Sequence, residues 1–277
     1  MSRITGQFTA VVLAGDRNDN DPLVKATGAS CKALVEIGNR PMVLHVLDAL
    51  QAASNVGKRI LSGPGKPQLS AEYALQKLIN DKSVHWVEPE KTPSTSAYFA
   101  MQNIQIKSPI LLTTADHPLL TSEMIERFCS KSNDLDVDVV VGLCRYDLIK
   151  TSFPNMKKTI MKFSDGDYCG CNLFAFLTPE SRRIANTWRQ IESDRKNPIR
   201  IIRMLGWLFV LRYLFGTLSL TEAVARLSRQ LELRIGIVDM PYAEAAVDVD
   251  SIADKIIVQD RFKSKTENTT NQTGSTA

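Results

Sequence analysis

Pro109-Ile-Leu-Leu-Thr-Thr-Ala-Asp-His-Pro-Leu-Leu120 reads as a buried strand that stops at a carboxylate. Ile110, Leu111 and Leu112 form a short apolar run that gives way to Thr113, Thr114 and Ala115. Asp116 follows. Pro118 has no N–H to donate, so the strand cannot continue as an interior ladder member. A parallel strand ends in this way when its last residue faces a crevice. In open α/β sheets ligands bind outside the carboxyl ends of the strands. A carboxylate there is well placed to hold a divalent cation against a phosphate. The stretch predicts an enzyme that handles nucleotide phosphates.

The flanking sequence fits that frame. Residues 8–13 (Phe-Thr-Ala-Val-Val-Leu) are a fully buried strand closed by Ala14-Gly15. Residues 41–53 read as a helix with Pro41 at its first turn and Met42, Val43, Val46, Leu47 and Leu50 at helical spacing. A short strand at 59–61 runs into the turn cluster Ser62-Gly63-Pro64-Gly65. A helix at 71–79, a strand at 83–87 and a helix at 95–104 precede the strand at 109–114. Thr121 or Ser122 caps the next helix, and 137–143 is another apolar strand. This β–α alternation predicts a mostly parallel sheet with helices on both faces.

Past Tyr146 the rhythm changes. Residues 153–163 are lysine-rich without clear periodicity, and 171–176 return as a strand. Helices are expected at 179–191, 220–231 and 252–262, and a strand at 233–240. Residues 199–215 are strongly apolar. Residues 263–277 are rich in Thr, Asn, Ser and Gly, which predicts a disordered tail. The expectation is one domain over 1–262, with an acceptor-side subregion at about 146–232, followed by that tail.

At 277 residues, 44% hydrophobic and 23% charged, the chain has ordinary globular composition. A net charge of +4 without a basic, aromatic-interleaved stripe argues against nucleic acid as a partner. The polar start around Ser2, Arg3 and Gln7 lacks the pattern of a signal segment. Five cysteines (Cys31, Cys129, Cys144, Cys169, Cys171) read as reduced thiols of a cytoplasmic protein. Cys169-Gly170-Cys171 lacks the further ligands a zinc site needs, because His45, His85 and His117 are scattered.

After the first strand the chain reads Leu13-Ala14-Gly15-Asp16-Arg17. A polar loop then leads to Lys32-Ala33-Leu34 and Gly38-Asn39-Arg40-Pro41. Small residues after a strand let backbone N–H groups approach a phosphate, and Arg17 and Lys32 are suited to neutralise a triphosphate. The pattern is neither a Gly-Lys-Ser/Thr phosphate loop nor the Gly-x-Gly-x-x-Gly dinucleotide fingerprint.

Leu13-Ala14-Gly15, Arg17 and Lys32, with Pro41 opening the next helix, resemble the signature loop of the MobA-like nucleotidyltransferases. Asp116-His117-Pro118-Leu119-Leu120 is similar to that family's metal-binding Asp-x-Pro-Leu-Leu. Gly170-Cys171-Asn172-Leu173-Phe174 resembles its Gly-x-Asn-Leu-Phe strand, and Asp248-Val249-Asp250 its late Asp-x-Asp. The four matches occur in the family's order across about 8–262. The resemblance implies a doubly wound, Rossmann-like sheet of the GT-A kind. It implies transfer of NMP from CTP or GTP to a small phosphorylated acceptor, with pyrophosphate leaving. By the same resemblance Mg²⁺ would sit on Asp116 and Asp248 or Asp250. Arg17 and Lys32 would act on the leaving pyrophosphate. Leu13, Ala14, Gly15, Ser62, Gly63, Ser96 and Asp116 would line the nucleotide, with Ser94 and Thr95 beside it, and Asn172 would hold the acceptor. The sequence departs from the family in having Asp16 where a second glycine is usual, and Lys25 competes with Lys32 for the lysine role.

Structural readings stand beside these. Asp116 could be a turn residue before a helix, and Asp248 and Asp250 solvated turn carboxylates. His117 reads as a crevice-facing turn residue, because the transfer needs no base. Lys157, Lys158 and Lys162 read as a solvated face. The 199–220 stretch is too interrupted by Arg200, Arg203 and Arg212 to span a bilayer. It reads as a helix pair on the core, a homodimer interface, or a peripheral membrane contact. Two other functions stay open: a non-catalytic nucleotide-binding protein, and a GT-A glycosyltransferase.

Overall fold

The computed structural model describes residues 6–16, 20–102, 104, 108–185, 187–188 and 206–273, with side chains to 263 in the last helix. Its strands are β1 (Phe8–Leu13), β2 (Glu36–Ile37), β3 (Arg40–Pro41), β4 (Val56–Ser62), β5 (His85–Val87), β6 (Ile110–Thr114), β7 (Val139–Arg145), β8 (Met161–Phe163), β9 (Gly166–Phe176) and β10 (Ile235–Asp239). The main sheet runs β10-β7-β9-β6-β1-β4-β5, with β8 paired to β9. β1 pairs in parallel with β4 and β6, β4 with β5, and β7 with β10. The chain is α/β and doubly wound, as expected.

Strand β1 is apolar throughout because both its faces are covered. Phe8, Ala10 and Val12 join one core with Leu47 and Leu50 of helix Met42–Ala52 and Phe128 of helix Ser122–Asp134. Val11 and Leu13 join a second core with Ala97 and Met101 of helix Pro93–Gln102. A strand sandwiched between helix layers cannot alternate polar and apolar residues.

Strand β9 departs from the parallel pattern. It runs antiparallel between β6 and β7 and begins in a hairpin with β8, where Phe163 pairs with Gly166. Ser164-Asp165-Gly166 supplies the turn, with Gly166 at φ 145°. The sequence reading placed only its second half. The polar loop after β1 likewise contains a helix, Pro22–Thr27, whose N-cap Asp21 accepts from the backbone N–H groups of Leu23 and Val24. Thr121 is the N-cap of Ser122–Asp134, which leaves Asp116 free of that task.

The last helix, Ile252–Thr273, runs on into the stretch read as a tail, because no glycine or proline interrupts its backbone before Gly274. Helix Leu220–Leu231 begins at a Ser219/Glu222 capping box. No helix among the described residues is long and apolar enough to cross a membrane.

Candidate active site

Because β1, β4 and β6 are parallel, their carboxyl ends share one edge of the sheet. A crevice of about 480 Å³ opens there, lined by Leu13, Gly15, Asp16, Lys32, Ser96, Asp116, Asn172, Asp248 and Asp250 among others. Residues far apart in sequence thus face one space. The sequence reading missed Asp21, Glu90, Thr92, Pro93, Phe174 and Trp188, which also line it. Only Phe174 belongs to a motif, as the end of Gly-x-Asn-Leu-Phe; Asp21, Thr92 and Pro93 sit at helix starts.

Lys32 lies in a 3-10 turn, Lys32–Leu34, and its ammonium sits between two carboxylates. It lies 2.6 Å from Asp116 Oδ2 and 2.5 Å from Asp250 Oδ1. Burial works against charge on both Lys32 and Asp116. Their attraction outweighs it, holding the ammonium above its ordinary value and the Asp116 carboxyl below its own. The Thr114 hydroxyl donates to Asp116 Oδ1 at 2.6 Å, and the Val249 N–H donates to the Asp116 carbonyl at 3.0 Å. That backbone bond ties the Asp248–Asp250 stretch to the end of β6.

Asp16 lines the crevice beside this cluster. Its Oδ1 accepts the Lys32 backbone N–H at 3.0 Å and so braces the Lys32 turn. Lys25 is exposed on its helix and does not line the crevice, whereas Lys32 does. Arg17 lies outside the described residues.

Asp248 and Asp250 both face the crevice but pair with different lysines. Asp248 is paired with Lys158, whose side chain is only 8% exposed. Lys158 therefore is not part of a solvated face: the chain entering β8 folds back and brings it to Asp248.

His117 is buried, not crevice-facing. Burial pushes its imidazole below the ordinary value despite nearby Asp116 and Asp248, so it is neutral. Its Nε2 lies 2.8 Å from the Asn172 amide nitrogen and accepts from it. Asn172 has φ 49° at a register shift between β7 and β9, a bulge that aims its side chain at the crevice. Asparagine tolerates that left-handed conformation.

Ser62 and Gly63 do not line the crevice; Ser62 is buried. Gly63 supports it instead. At φ 91° it packs so closely that an added Cβ would lie 2.7 Å from the Gly15 nitrogen. Gly15 in turn leaves room for Pro89, whose Cβ would be 2.9 Å from a side chain there. Ser94 is buried within the helix start, and Ser96 both lines the crevice and accepts the Glu90 N–H at 2.8 Å. All five cysteines are free and buried. Burial raises the thiol pKa values of Cys31 and Cys144 to about 12.

Residues 10–153, just over half of the chain, match the MobA-like NTP transferase domain. The chain belongs to the MobA-like NTP transferase family. It is similar to the molybdenum cofactor guanylyltransferase of Shewanella halifaxensis, at 26% identity over 165 residues, covering 58% of this chain and 76% of that protein. The corresponding Shewanella sediminis protein is 25% identical over 162 residues, 57% of this chain and 76% of the relative. Among solved structures, a hypothetical transferase from Thermus thermophilus superposes with a TM-score of 0.75 at 27% identity, covering 90% of this chain and 99% of that one. A 4-diphosphocytidyl-2C-methyl-D-erythritol synthase from Anaerococcus prevotii shares the fold, with a TM-score of 0.57 at 12% identity, covering 93% and 96%. The GT-A-like fold and a nucleotidyltransferase assignment follow, and the crevice at the end of β1 and β6 is the family member's candidate active site.

Proposed function

We propose that this chain transfers NMP from CTP or GTP to a small phosphorylated acceptor and releases pyrophosphate. The observation that carries the reading is the Lys32 ammonium held between Asp116 and Asp250 at the mouth of β1 and β6. A phosphate oxygen of the acceptor attacks the α-phosphorus in line. The new P–O bond forms as the α–β P–O bond breaks, and pyrophosphate takes the electron pair. Little covalent help is needed, so positioning and charge neutralisation dominate. Lys32 and Arg17 serve the triphosphate charge, the Ala14-Gly15 backbone approaches it closely, and Asn172 orients the acceptor.

The donor set suits Mg²⁺. Asp116 and Asp250 already direct one oxygen each to a common point, and Mg²⁺ is commonly held by one or two carboxylates plus substrate phosphates. Among the described residues no cluster of three or more His, Cys, Asp or Glu has metal-binding spacing, so substrate oxygens and water would complete the shell. Bound there, the ion would neutralise developing phosphate charge. Asp248, held by Lys158, is the weaker candidate of the late pair.

A screen of the NTPs with Mg²⁺ and phosphorylated acceptors, read by pyrophosphate release, tests the reading. Release that disappears in Asp116→Ala supports it. Saturable NTP binding without turnover favours the binding-protein alternative, and sugar transfer from an NDP-sugar without pyrophosphate favours a glycosyltransferase.

A further inference from the structure

The Lys32 ammonium stands 2.6 Å from Asp116 Oδ2 and 2.5 Å from Asp250 Oδ1, between the two oxygens that suit a divalent cation. Mg²⁺ takes oxygen ligands at about 2.0–2.1 Å. An ion held by this pair would therefore fall on the place of the ammonium nitrogen. The other Asp116 oxygen offers no way round, because Oδ1 accepts the Thr114 hydroxyl at 2.6 Å. Asp248 supplies no spare charge either, since it is paired with Lys158. Ammonium and divalent cation are alternatives for one position.

Charge sets which of them holds it. The Lys32 side chain is 21% exposed and that of Asp116 20%, so each is largely out of water and needs a partner. With a divalent cation alone, the ammonium would leave both carboxylates with no anion to receive it. With a triphosphate alone, the departing ammonium would leave Asp116 beside Asp250 without a counter-ion, and like charges repel. With both together, the ammonium passes to the phosphates as it cedes the carboxylates.

The local chain suits that exchange. The Lys32 backbone is fixed: its N–H donates to Asp16 Oδ1 at 3.0 Å, and its carbonyl accepts the Val35 N–H at 3.1 Å. Only the flexible four-carbon stem has to move. Gly15 lines the same crevice as Lys32, which puts the phosphate-facing backbone within the same space. Asp250 is the exposed member of the carboxylate pair and opens the position to solvent.

We infer that the Lys32 ammonium guards the Asp116–Asp250 pair against free divalent cations and yields it only to a metal that arrives with a triphosphate. Metal and NTP binding are then coupled, and coupling of this kind is reciprocal. The inference rests on Asp116 and Asp250 being the metal ligands of the proposed transfer.

Mn²⁺ uptake by the full chain without nucleotide, read by electron paramagnetic resonance of the free ion, tests it. Wild type is expected to bind Mn²⁺ weakly. Lys32→Met is expected to bind it about tenfold to a hundredfold more tightly, the usual span of coupling between two ligands. Lys32→Met/Asp116→Asn is expected to lose that gain. Thermal melts give a second reading: Mn²⁺ should raise the melting temperature of Lys32→Met and leave that of wild type unmoved. Lys32→Gln serves in the same way if Lys32→Met folds poorly. Wild type that binds Mn²⁺ as tightly as the Lys32 variants overturns the inference alone. A gain that survives Asp116→Asn places the ion elsewhere and overturns it too. If neither wild type nor the Lys32 variants take up Mn²⁺, the metal reading of Asp116 and Asp250 falls and the inference with it, while pyrophosphate release still tests the transfer.

Discussion

Lys32 donates to Asp116 at 2.6 Å across 84 residues of sequence, and this one contact joins the loop after β1 to the end of β6. Either residue alone is an ordinary surface type; together they line the crevice.

Asp116→Ala and Lys32→Ala are each expected to lower kcat for pyrophosphate release by about 10²–10³-fold, the scale of losing one preorganised electrostatic contact. The double variant should cost little more than either single one, because the two act as a unit. Steady-state kinetics on all three variants checks this. Additive losses, or turnover near wild type in either single variant, would remove the pair from the chemistry.

Asp16→Gly restores the residue usual in the family at this position. If Asp16 repelled triphosphate, the substitution would improve NTP binding. Its bond to the Lys32 N–H predicts the reverse: a KM for NTP raised by about threefold to tenfold, as expected for an exposed charge-assisted hydrogen bond. A lowered KM refutes the bracing role.

Asp138 is buried at the start of β7 and is held by the Arg234 backbone N–H at 2.8 Å, the Arg234 guanidinium at 3.1 Å and the Thr178 hydroxyl at 3.2 Å. Burial raises its pKa, but the Arg234 and Thr178 contacts outweigh that and leave it depressed. A depressed carboxylate contributes stability above its unfolded pKa of about 3.9, lost as pH falls through the folded value. Asp138→Asn should therefore cost about 1–3 kcal/mol near neutrality, toward the lower figure because Arg234 is 46% exposed. The gap from wild type should stay constant from about pH 5 to 8 and narrow below about 4. Thermal melts across that range would show a different profile if Asp138 were not the titrating group.

Gly63→Ala should destabilise the fold by about 2–4 kcal/mol, since the new Cβ meets the Gly15 nitrogen and the backbone sits at positive φ. It should also raise the KM for NTP by displacing Ala14-Gly15. Gly170→Ala, with nothing within 4 Å of its Cβ, serves as the near-neutral comparison. Equal melting temperatures for the two variants would contradict the packing argument.

Much of this was legible in the residues. The apolar runs of β1 and β6, the helix at Met42–Ala52 and a helix cap at Thr121 or Ser122 follow from burial and local hydrogen bonding. The small residues after β1 and Asp116 after β6 marked the crevice. What escaped was set by contacts between distant segments. The antiparallel β9 had a local turn signal in Asp165-Gly166, yet its partner strands could not be inferred locally. The bulge that aims Asn172 and the burial of His117 behind it have no periodicity to betray them.

The sequence by itself determined the α/β alternation, the crevice edge and the acidic and basic residues available there. Those depend on propensity, spacing and chain neighbours. Only the tertiary structure decided how the charges are shared. Asp250 goes to Lys32 across 218 residues and Asp248 to Lys158 across 90. Asp16 turns from apparent intruder to brace. Two carboxylates at i and i+2 look equivalent in a sequence, and which one holds which ammonium is fixed by how remote loops fold back on the sheet.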